Sequence, residues 1–83
     1  MSMSVVRLSY WGRSVSQRIR EIRRILDARY SLSFFEERKR ADPNWWNSSR
    51  NQVGRSIYGR AMREQQRLEA ASDGELDAEL NTI

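Results

Sequence analysis

The chain offers few side chains for chemistry, and their spacing narrows what they can do. Glu36 and Glu37 are adjacent carboxylates, Glu64 stands alone on an apolar helical stripe, and fourteen arginines spread over residues 7–67. Successive residues of a helix point about 100° apart, so Glu36 and Glu37 make a poor acid–base pair and suit a solvated charge cluster. Glu64 needs a cation, which Arg60, Arg67 or an arginine of the first helix would supply. A carboxylate paired in this way is structural rather than catalytic. There is no histidine and no cysteine. Nucleophile–base pairs built on them, and the commonest metal ligands, are therefore excluded. Gly12, Gly54, Gly59 and Gly74 stand singly and form no phosphate loop. The tail ASDGELDAEL is acidic but lacks the ligand spacing and closing Glu of a calcium loop. The expectation is a protein that is not an enzyme and needs no metal or cofactor.

Binding chemistry is better provided. Residues 1–67 carry all 15 basic groups against six acids, a net +9, whereas residues 68–83 carry five acids and no base, a net −5. All the bases but Lys39 are arginine, the side chain suited to bidentate contact with phosphate or carboxylate and to stacking on planar groups. Arg13, Arg20 and Arg24 fall on the polar face of the first expected helix and are the candidate phosphate contacts. Tyr10, Trp11, Trp45 and Trp46 could stack on bases. No helix-turn-helix or RNA-recognition pattern accompanies them. Trp11, Trp45, Tyr58 and Met62 are the candidate protein-partner contacts, because Trp, Tyr, Met and Arg are enriched in interface cores. Of the adjacent tryptophans, Trp46 continues a helical stripe and is expected inside, with Trp45 pointing outward.

Elements must position these groups. A Ser followed three residues later by Gln or Glu can form a reciprocal helix cap. The pattern recurs at Ser14…Gln17, Ser33…Glu36, Ser49…Gln52 and Ser72…Glu75. The first helix is expected over 15–30, with Val15, Ile19, Ile22, Leu26 and Tyr30 on its buried face. Residues 30–36 fit either a short helix started by Ser33 or a strand. Asp42 should cap a turn with Pro43 in a tolerated first position. A long helix over about 50–71 carries Val53, Ile57, Ala61, Leu68 and Ala71, with Gly54 and Gly59 as places where another backbone could approach. A last helix over 73–81 places Leu76, Leu80 and Ile83 together, with acids in its first turn. Val5–Trp11 alternates like a strand.

The fold expected is therefore mostly α, with three to four short helices and an extended or β N-terminal arm. Eighty-three residues make a single small domain: an arm (1–12), a basic helical body (14–71) and an acidic C-terminal helix (72–83). So small a core without disulfides or metal points to stability shared with a larger assembly or with further copies of the chain. The leading functional expectation is a non-catalytic, basic structural or accessory subunit of a particle, a virion or a ribonucleoprotein complex. The alternatives are a nucleic-acid-binding regulator using an Arg-rich helix, and a small inhibitor docking on a host enzyme. No apolar run approaches the ~20 residues of a membrane span. MSMSVVRLSYWGR has no secretory pattern, so the expected place is the cell interior or a particle.

Overall fold

Ser14 starts the first helix as its spacing implies. Its Oγ accepts the Gln17 N–H at 3.0 Å, and α1 runs Val15–Tyr30. The reciprocal half of the cap is missing, because the Gln17 side chain donates to Glu21 instead. Ser31 ends α1 in the left-handed region at φ 55° and begins α2 (Leu32–Ala41) at once. Residues 32–36 are thus helical, not a strand. Ser33 is not the cap: its N–H and Oγ both donate to the Asp27 carboxylate, at 2.7 and 2.9 Å. Asp42 accepts the Trp45 N–H and, with Pro43 in the first turn, opens the one-turn α3 (Pro43–Trp46). A 3-10 turn (Ser49–Asn51) precedes α4 (Gln52–Glu69), whose cap residue is Asn51 rather than Ser49. The full reciprocal cap forms once, at Ser72 and Glu75, and starts α5 (Asp73–Leu80).

These elements come from a computed structural model that describes residues 13–83. The described part is all α, with five helices and no strand. The expected N-terminal strand, and Trp11 with it, lies outside the described residues. No described helix is long and apolar enough to cross a membrane.

The core gathers Ile22, Ile25 and Leu26 from α1, Leu32 from α2, Ala61 and Leu68 from α4, and Leu76 from α5. Tyr30, Tyr58, Met62, Ala71 and Leu80 pack around its edge. Two expectations about the buried face need correction. Val15 and Ile19 are 75% and 60% exposed although they share the azimuth of Ile22 and Leu26. The stripe is real, but α4 and α5 cover only its C-terminal half. Ile25, outside the expected stripe, is fully buried because the face is wide enough to include it. On α4, Val53 is 74% exposed, and Ile83, beyond α5, is 42% exposed. Burial on α4 instead follows the seven-residue line Gly54, Ala61, Leu68.

Gly54 admits a side chain, not a second backbone. A Cβ there would lie 2.2 Å from Asn51 Oδ1. Asn51 is itself buried and donates through Nδ2 to the Trp46 carbonyl at 3.1 Å. Gly59 is open, with nothing nearer to a Cβ than an arginine tip at 3.7 Å.

Candidate interaction surfaces

Glu64 meets two arginines, one on its own helix and one from α1. Arg67 donates to it at 2.7 and 3.1 Å, and Arg29 at 2.9 Å. Glu79 of α5 joins the group, 2.6 Å from Arg29 and 3.0 Å from Arg67. Hydrogen bonds from Arg67 hold the Glu64 carboxyl below its ordinary range, and those from Arg29 and then Arg67 do the same for Glu79. The same bonds raise the Arg67 guanidinium further. A carboxylate tied to two guanidinium groups is poorly placed to exchange protons at neutral pH, so the cluster joins helices rather than doing acid–base work.

A second cluster ties the start of α5 to α1. Arg18 pairs with Asp73 at 2.6 Å and also donates to the carbonyls of Ala71, Leu68 and Glu69 at 2.8–3.4 Å. Arg13 binds Asp77, lies 3.3 Å from Glu21, and donates to the Asp73 carbonyl. The bond to Asp77 raises the Arg13 guanidinium above its ordinary value. Arg13 is therefore turned towards α5 and not outward with the other two phosphate candidates. Arg20 and Arg24 do point outward, and neither makes an ion pair among the described residues. The acids of residues 68–83 thus consume several arginines of the basic body. Sequence separations of 50 or more hide that from any local reading.

The open end of the α1 stripe forms an apolar groove of about 440 Å³. Val15, Ile19, Ile22 and Leu26 line it along one face, with Arg23 and Glu69 on its border. Arg23 is held by Glu36 of α2 at 2.6 Å.

The aromatic residues form a chain across α2, α3 and α4. Phe34 meets Phe35, Phe35 meets Trp46, and Trp46 meets Tyr58, each edge-to-face with centroids 5.4–6.1 Å apart. Such pairs favour this geometry electrostatically. Trp46 is 4% exposed and lies inside, as its register implies. Arg55 crosses beneath it, donating to the carbonyls of Trp46 and Ser48 at 2.7 and 2.6 Å. Trp45 is half-buried, with the Arg38 guanidinium 4.3 Å above its ring. Tyr58 and Met62, marked as partner contacts, pack against the chain's own core, and Lys39 sits 4.9 Å over Tyr58. The sequence alone does not bring Arg38 together with Phe34 and Trp45, as the structure does. The i, i+4 spacing of Phe34 and Arg38 was the available signal once residues 32–36 are helical.

Among the described residues no group of three Asp or Glu side chains converges to hold a metal ion. Comparison with family models, curated proteins and solved structures finds no match to this chain.

Proposed function

We propose that the protein is a small, non-catalytic, basic accessory subunit that docks into a larger intracellular or particle assembly through the N-terminal half of α1, which no other described helix covers. The observation that supports this is the pair Val15 and Ile19, which continue the line of Ile22 and Leu26 into solvent. An apolar stripe that begins in the core and ends in the open is the shape of a helix-in-groove contact. Covering the two side chains would return about 2–4 kcal/mol of apolar burial, enough to matter for a domain with so few fully buried residues.

The lining of the groove says what should cover it. Arg18 and Arg23 flank the apolar line on α1, each already paired with an acid, Asp73 and Glu36, whereas Arg20 on the outer side makes no ion pair among the described residues. The partner in this reading is a different chain that lays an apolar segment along Val15 and Ile19.

A photoreactive amino acid in place of Ile19, introduced in cells that make the native partner, tests this. One discrete heteromeric adduct is expected at that position and none from Arg24, on the far side of α1. A product of twice the chain mass would replace the heteromeric reading with self-association. Equal, diffuse labelling at both positions would dismiss the groove altogether.

A further inference from the structure

We infer that Phe34, Arg38 and Trp45 form a binding face for single-stranded nucleic acid, separate from the α1 groove. The Arg38 guanidinium lies between two rings, 5.8 Å from the Phe34 centroid and 4.3 Å from that of Trp45. Phe34 and Arg38 are one turn apart on α2, and the one-turn α3, fixed by its Asp42 cap, carries Trp45 to the other side. Both rings thus lie within cation–π reach of the guanidinium, whose N–H groups have no partner among the described residues.

Those N–H groups have no carboxylate. The acids nearest in sequence are already engaged: Glu36 with Arg23, Glu37 with Arg40, and Asp42 with the Trp45 N–H. The Arg38 side chain makes no ion pair or hydrogen bond among the described residues and is exposed. Lys39, the next residue, likewise pairs with no acid there and rests on Tyr58. Two cations without counterions, at the end of one helix, favour an anionic ligand. The helix dipole alone accounts for basic residues at this end. It does not account for Phe34, which stays 57% exposed beside them.

A held guanidinium offers the planar fork that matches a phosphate. An exposed aromatic face beside it offers a surface on which a base can stack, whatever its sequence. Phosphate and stacking chemistry together select a strand with unpaired bases. A duplex keeps its bases stacked on one another and presents only its phosphates to such a site. An acidic peptide would satisfy Arg38 but leave the rings unused.

The test is anisotropy of fluorescent oligo(dT) and oligo(rU) titrated with the full chain. A duplex of equal charge, heparin and poly-glutamate serve as competitors. Single strands are expected to bind more tightly than the duplex and to resist the two polyanions at matched charge. Arg38→Ala should weaken binding about tenfold and reduce the salt slope by about one. Arg38→Lys should keep the slope yet lose affinity, since an ammonium neither forks nor stacks. Trp45→Leu should lose about tenfold with the slope unchanged. Circular dichroism of each variant separates lost binding from lost folding, and the exposed Arg38 variants carry the test if Trp45→Leu unfolds. Absence of single-strand binding would overturn the inference. So would binding that duplex, heparin or poly-glutamate matches, or binding indifferent to Arg38.

Discussion

Arg18 reaches from α1 to Asp73, 2.6 Å away, and on the way donates to the carbonyls of Leu68 and Glu69 at the end of α4 and of Ala71 just beyond it. One side chain therefore fixes the joint of three helices. Arg18→Ala should cost about 1–2 kcal/mol, because it removes the donor that the Ala71 carbonyl and the Asp73 carboxylate share at this joint. Amide exchange in α5 should quicken more than in α1. Arg24→Ala, on the outer face, should stay within about 0.5 kcal/mol by denaturant titration.

The boundary of the core can be located on α1 itself. Ile25 is fully buried and Ile19 is 60% exposed, although both are isoleucines two turns or less apart. Ile25→Ala should cost roughly 2–4 kcal/mol, and Ile19→Ala well under 1 kcal/mol. Similar losses from both in urea melts of the isolated chain would mean the groove is closed in solution.

The two glycines of α4 should respond in opposite directions to alanine. Gly59→Ala meets open space and should stabilise by about 0.5–1 kcal/mol through helix propensity and a less flexible unfolded chain. Gly54→Ala drives a methyl group into buried Asn51, 2.2 Å from its Oδ1. Its propensity gain should be outweighed, with a net loss of about 1–2 kcal/mol. Thermal melts of the two variants under one buffer decide it.

Acid should loosen α5 before the rest. Glu64 and Glu79 are held down by arginines, and Glu75 by the Ser72 N–H and hydroxyl. A carboxylate with a lowered folded pKa contributes stability above its unfolded value, about 4.3 for Glu. That contribution disappears as pH falls through the lower folded value. Stability should therefore be flat from pH 7 to about 5 and decline below about 4.3, with loss of α5 protection in exchange experiments. Glu79→Gln should make the decline shallower.

Much of the scaffold was legible in the sequence, for local reasons. The Ser14 and Ser72 caps, the Asp42–Pro43 start and the split of Trp46 from Trp45 depend on neighbours within a few residues. Glu64's need for an arginine follows from its place on an apolar stripe. What was hidden is long-range. Nothing local says that α4 ends short of Val15, that Arg13 and Arg18 turn to the acidic tail, or that Tyr58 packs inward against Trp46. Residues 30–36 read as strand or helix alike because four apolar or aromatic residues in seven, Tyr30, Leu32, Phe34 and Phe35, fit both periods. Asp27, bonded to Ser33 across the Ser31 turn, resolves that choice in favour of α2.

The docking role of α1 is tested most directly by Val15→Asp with Ile19→Asp in one chain, sedimented in native extract and melted after purification. Both side chains are solvent-facing in the free protein, so the melt should match wild type within about 0.5 kcal/mol. Wild type should sediment with a heavier species, and the variant as a free 9.9 kDa chain. A variant that stays folded and still sediments with the heavier species would contradict the proposal, as would a wild-type chain that sediments alone.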